Sequence, residues 1–122
     1  METAFLNGEL DEDIYMVQPD GYIEEEHARL VCKLQRSLYG LKQSPRMWNK
    51  TIDEFMLKIG FMKCESDRCI YIKRNDQYMI FVALYVDDLI IASRSSKMLH
   101  EVKCARSERF EMTDMGLLKH FL

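Results

Sequence analysis

The segment Tyr85-Val86-Asp87-Asp88 sets two adjacent carboxylates between two strongly apolar runs, and this limits the chain most. Upstream lies Met79-Ile80-Phe81-Val82-Ala83-Leu84, and downstream lies Leu89-Ile90-Ile91-Ala92. Both runs read as buried strands, rich in β-branched and aromatic residues, so the Asp pair falls at a hairpin turn. Asp is a good turn residue, and an acidic tip pointing into water is one reading. The other is a metal site. A buried carboxylate is costly unless paired or coordinating a cation, and two side by side repel unless a cation sits between them.

With 122 residues the chain is one domain at most, with a modest core. Its 48% hydrophobic and 30% charged residues match a globular protein. A formal net charge of −3 gives no general affinity for nucleic acid, so any such contact must come from a local basic patch. No apolar stretch approaches the ~20 residues of a membrane span. No basic-then-apolar leader opens the chain. Cys32, Cys64, Cys69 and Cys104 form no CxxC pair, and His27, His100 and His120 are scattered. That pattern gives no zinc motif and predicts free thiols in an intracellular chain. No repeat, low-complexity tract or linker divides it.

Along the chain, Glu9, Asp11, Glu12 and Asp13 form an acidic cluster read as a solvated turn. Ile14-Tyr15-Met16-Val17 reads as a short strand stopped by Pro19-Asp20-Gly21, with Leu30-Val31-Cys32-Lys33-Leu34 as its partner across a long loop. Glu24-Glu25-Glu26 is surface loop. A helix is expected next, with Ser44 as N-cap, Pro45 in its first turn and Gly60 past its end. Trp48, Ile52, Phe55, Met56 and Ile59 fall on one face. Lys42, Arg46 and Lys50 line another, a stripe that spacing alone assigns to solvent. A strand over residues 67–74, a turn at Asn75-Asp76 and a strand over 77–85 lead into the Asp pair. Ser95-Ser96 caps a second helix over roughly 96–109. Its stripe of Met98, Leu99, Val102 and Phe110 is broken by Arg106. Residues 110–122 read as the start of a further element that is cut short.

Three ordered segments carry a resemblance. The first is Thr3-Ala4-Phe5-Leu6-Asn7-Gly8-Glu9-Leu10, followed by Ile14-Tyr15-Met16 and Gln18-Pro19. The second is Ser37-Leu38-Tyr39-Gly40-Leu41-Lys42-Gln43-Ser44-Pro45-Arg46 with Trp48, and the third Leu84-Tyr85-Val86-Asp87-Asp88-Leu89. Together, over essentially all of its length, the chain resembles the reverse transcriptase of copia-type retrotransposons. The resemblance implies an α+β fold: a right-hand polymerase palm with part of the fingers, an antiparallel sheet with packed helices, truncated at both ends, with residues 1–122 as a partial reverse transcriptase domain. It implies an RNA-directed DNA polymerase using dNTPs by two-metal nucleotidyl transfer. Asp87 and Asp88 would be the catalytic residues and hold magnesium, two ions roughly 4 Å apart activating the primer hydroxyl and stabilising the leaving group. Carboxylate oxygens suit magnesium, where thiols do not.

The resemblance places Tyr85 and Val86 near the primer terminus and incoming nucleotide. Tyr39 stands where retroviral relatives carry the glutamine of Leu-Pro-Gln-Gly-x-x-x-Ser-Pro. Gly40 would let backbone approach the nucleotide. Lys42 and Arg46 would then meet the nucleic-acid backbone, and Phe5 would be the aromatic steric gate that clashes with a ribose 2′-hydroxyl. The implied partners are an RNA template, a DNA primer, dNTPs and the remaining Pol polyprotein domains, with no membrane. The implied location is cytoplasmic, within a virus-like particle in an intact element.

The family carries its first catalytic aspartate in Asp-Val-Lys-Thr-Ala-Phe-Leu. Met1 stands at the Val and Glu2 at the Lys, so that aspartate would immediately precede Met1. The chain is therefore expected to be inactive in isolation. The alternative is a catalytically dead retrotransposon remnant that keeps only nucleic-acid or protein binding. Losing a first-motif strand would also open a sheet edge and uncover apolar surface, which predicts poor solubility.

Overall fold

The computed structural model describes residues 3–119; Met1, Glu2, His120, Phe121 and Leu122, with the readings made on them, lie outside the described residues. Two antiparallel sheets and two helices make an α+β arrangement. The smaller sheet pairs β1 (Tyr15–Met16) with β2 (Cys32–Lys33), in register Tyr15 to Lys33. This is the expected long-loop hairpin, with shorter strands. Gln18 closes the loop, its Nε2 donating to the carbonyls of His27 and Leu30.

Helix α1 spans Ser44–Lys58. It begins one residue earlier than expected, with Gln43 at the cap position and Pro45 in the first turn. Ser44 is not the N-cap: its hydroxyl donates backwards to the carbonyl of Leu38 and is fully buried. The C-terminus follows expectation. Gly60 takes φ +90°, its N–H donates to Leu57 O and that of Phe61 to Met56 O, both at 3.0 Å. These paired bonds are a Schellman closure, and Phe61 and Met56 both enter the core.

The larger sheet runs β3 (Met62–Lys63), β4 (Ile70–Arg74), β5 (Met79–Tyr85) and β6 (Asp88–Ser93), each antiparallel to its neighbour. Strand β3 has no counterpart in the sequence reading. Strand β4 starts later than residue 67 because Asp67 makes a turn, its carboxylate accepting from the N–H of Cys69. Asn75 does the same for Gln77 and Tyr78 at the expected β4–β5 turn. Helix α2 (Ser96–Arg109) is capped by Ser95, whose hydroxyl accepts from Met98 N.

Both helices cover one face of this sheet. Trp48, Ile52 and Met56 of α1, and Met98 and Val102 of α2, meet Tyr71, Ile80, Val82 and Leu84 of the strands. Phe110 sits edge-on to both Trp48 and Phe55. The expectation that β5 is buried throughout needs correction. Ile80, Val82 and Leu84 point into the core, whereas Met79, Phe81 and Tyr85 alternate onto an exposed face. A continuous apolar run hides this period, because both faces of the strand carry apolar side chains. Residues 111–119 form no regular element, but Met112 packs on the core and Asp114 is tied to Lys103 at 2.8 Å.

Candidate functional site

The β5–β6 turn has two central residues, Val86 and Asp87, closed by the pair Tyr85–Asp88. Positive φ at the first central residue is the pattern of a type II′ hairpin, a position that favours glycine. Here it falls on Val86, at φ +49°, the single non-glycine residue with positive φ among the described residues. A β-branched residue there is strained by about 1–3 kcal/mol. The conformation is held from outside the hairpin. Trp48, on the core face of α1, turns its indole Nε1–H outward and donates to Val86 O at 2.8 Å.

The turn leaves Asp88 exposed and Asp87 half-buried. The two oxygens of Asp87 have different surroundings. Oδ1 is shielded from solvent, while Oδ2 accepts from the Tyr39 hydroxyl at 3.0 Å. Tyr39 in turn packs against Phe5, with ring centroids 4.6 Å apart and planes tilted by 40°. Partial burial raises the pKa of the Tyr39 phenol above its ordinary value, and the hydrogen bond to Asp87 adds to the rise. Three segments remote in sequence thus meet: residue 5, residue 39 and the turn at 86–87.

Phe5 opens a single 3₁₀ turn, Phe5–Asn7, docked on the start of α1. Ser37 is the bracket. Its fully buried hydroxyl lies 2.7 Å from Phe5 O and 3.1 Å from Gly8 O, and its N–H donates to Gly8 O at 3.0 Å. Gly8 is required by close approach: a Cβ there would stand 2.3 Å from Ser37 Oγ and 3.0 Å from Trp48 N. Gly40, by contrast, is exposed, at φ +94°, and a Cβ added to it would meet nothing within 4 Å. Its glycine identity answers to backbone conformation and not to crowding.

Of the expected site residues, Phe5, Tyr39, Val86 and Asp87 are brought together, with Tyr85, Asp88 and Gly40 adjoining in sequence. Lys42 and Arg46 are exposed; Arg46 makes a long ion pair with Asp11 at 3.8 Å. The sequence reading missed the polar role of Trp48, and the parts played by Ser37 and Gly8. A Trp on the apolar face of a helix is the signal that could have found the first, since a buried Trp N–H usually finds an acceptor.

As donors, Asp87 and Asp88 match magnesium in kind: hard carboxylate oxygens at an accessible tip. Among the described residues no group of three or more Asp, Glu, His or Cys side chains is placed to hold a metal ion. No described helix is long and apolar enough to cross a membrane.

Comparison with known proteins supplies the family. The family model described as reverse transcriptase (RNA-dependent DNA polymerase) matches residues 1–122. The chain is 42% identical, over its whole length, to a retrovirus-related Pol polyprotein from transposon TNT 1-94 of Nicotiana tabacum, of which it covers 9%. It is 37% identical to the corresponding polyprotein from transposon RE1 of Arabidopsis thaliana, again over its whole length and 8% of that protein. A putative transposon Ty5-1 protein of Saccharomyces cerevisiae is 38% identical over all of this chain and 40% of its own length. The chain therefore spans less than half of each of these relatives. No solved structure matches it. The chain belongs to the reverse transcriptase family, as a segment of the kind carried in the Pol polyproteins of copia-type retrotransposons.

Proposed function

We propose that this chain is the palm, with part of the fingers, of an RNA-directed DNA polymerase. In this reading the β5–β6 turn is its catalytic tip, and β1–β2 belongs to the fingers. The observation that carries the proposal is the convergence of Phe5 and Tyr39 on Asp87, because those residues come from three separate family motifs. Asp87 and Asp88 would hold magnesium, which supplies charge neutralisation at the transferred phosphoryl group when bound. The residues of this chain do the positioning. Trp48 holds the turn through Val86 O, so the two carboxylates keep a set orientation. The Phe5 ring, braced by Ser37 on its own carbonyl, would stand beneath the sugar and exclude a 2′-hydroxyl. Lys42, in the turn before α1, and Arg46, in its first turn, are both exposed and would meet template or primer phosphates.

Inactivity in isolation is part of this proposal, since the chain spans a small part of the polyproteins it matches and the rest of the polymerase would complete the site around Asp87 and Asp88. The second reading is a binding module that has kept the surface and lost the chemistry.

The test is primer extension on an RNA template by residues 1–122 seated in place of the aligned stretch of the Nicotiana polyprotein. Magnesium-dependent synthesis that falls to background with Asp87→Asn is the expected result. Synthesis indifferent to that substitution would refute the catalytic assignment. RNA binding by the chain that needs no magnesium and survives Asp87→Ala, together with an inactive chimera, would establish the binding module instead.

A further inference from the structure

We infer that Ser37 is a specificity-determining residue acting through Phe5: by fixing the Phe5 backbone from a buried position, its hydroxyl sets how strictly a ribose 2′-hydroxyl is excluded. This rests on the reading of Phe5 as the residue that meets the sugar, and it names the group on which that selection depends.

An aromatic side chain excludes a hydroxyl only if it cannot move aside. A shift of about 1 Å is enough to admit the extra oxygen, and misplacement on that scale is worth up to about a hundredfold in rate. Phe5 gains little restraint from its own element, a single 3₁₀ turn with no buried residue. The restraint comes from the segment that carries Tyr39. Ser37 is fully buried, and its hydroxyl donates to Phe5 O at 2.7 Å. Its one proton cannot serve Gly8 O as well, although that oxygen lies 3.1 Å from Oγ. Gly8 O accepts the Ser37 N–H instead, at 3.0 Å. Residue 37 thus holds the turn at both ends.

Two further observations separate this hold from folding in general. The turn closes without the hydroxyl, because the Gly8 N–H also donates to Phe5 O, at 3.0 Å. Removing the Ser37 hydroxyl therefore loosens the place of the turn and does not undo it. The Tyr39 ring, two residues along from Ser37, contacts the Phe5 ring with centroids 4.6 Å apart. One short segment restrains Phe5 at its backbone and at its ring, so the strictness of selection belongs to residues 37–39 as much as to Phe5.

The test is single-nucleotide primer extension by the chimera with the Nicotiana polyprotein, with kcat/KM measured for a dNTP and for the matching rNTP. The parental chimera is compared with Phe5→Val, Ser37→Ala, Tyr39→Leu and Tyr39→Phe. Phe5→Val should lose most of the preference for the deoxynucleotide. Ser37→Ala should lose about threefold to tenfold of it, the range of one modest hydrogen bond. Tyr39 is 48% exposed, so its variants test the ring contact without opening the core. Tyr39→Leu should relax the preference, and Tyr39→Phe, which keeps the ring, should retain it.

If Ser37→Ala keeps the preference while Phe5→Val loses it, Ser37 is structural only and the inference is wrong, whatever happens to overall activity. If Ser37→Ala yields no active protein, Tyr39→Leu decides, and a retained preference there overturns the inference. In both cases Phe5 keeps its role. If Phe5→Val leaves the preference unchanged, or the chimera makes no DNA, the inference and the reading beneath it fall together.

Discussion

Arg106 shows how one residue can run against the pattern around it. It lies on the core side of α2, one turn from Val102 and one from Phe110, and is 8% exposed. Its Nε is buried with no hydrogen-bond partner among the described residues. Burial lowers its pKa, and the nearby Asp114 carboxylate opposes that in part. A long arginine stem can carry its charge outward to water, but here the side chain stays largely covered. Desolvating a charge with an unmet donor costs more than the packing of its stem returns. Arg106→Met should therefore raise stability by about 1–3 kcal/mol. Chemical denaturation of the two chains checks this, and a lower midpoint for the variant would mean that the Asp114 interaction dominates.

At the scale of elements, the docking of the Phe5–Asn7 turn on α1 decides whether the site forms. Helix α1 was legible from its period, its proline and its terminal glycine, all local signals. The docking was not, because it depends on Ser37 and Gly8, small residues whose spacing has no period. Gly8→Ala should cost about 1–3 kcal/mol, since its Cβ would overlap Ser37 Oγ and press on the backbone of Trp48. The double variant Gly8→Ala/Ser37→Gly removes the nearest clash and should recover part of that loss. Equal stability of Gly8→Ala and wild type in thermal unfolding would show that the turn is not docked in solution. The tail behaves differently. Lys103 and the Gly116 N–H hold the Asp114 carboxyl below its usual range. Its tether thus contributes above the ordinary Asp pKa and is lost as pH falls through the depressed value.

For the whole molecule, the open face of the larger sheet matters most. Met62, Phe81 and Tyr85 are each more than 40% exposed there, and β6 pairs with β5 alone among the described residues. An apolar face beside an unpaired edge invites association. Residues 1–122 alone should elute from size exclusion well ahead of a 14.5 kDa monomer, and Phe81→Lys should shift material towards the monomer. A monodisperse wild-type monomer with cooperative unfolding would refute this. Local chemistry made the helices, the Asp hairpin and the ordered family motifs readable, because caps, periods and turn residues act over a few positions. Contacts across the fold settled which face of β5 is buried, why Val86 tolerates its backbone, and that Tyr39 reaches Asp87 over 48 positions of chain. Such contacts depend on how α1 lies against the sheet, and no short-range pattern of residues encodes that placement.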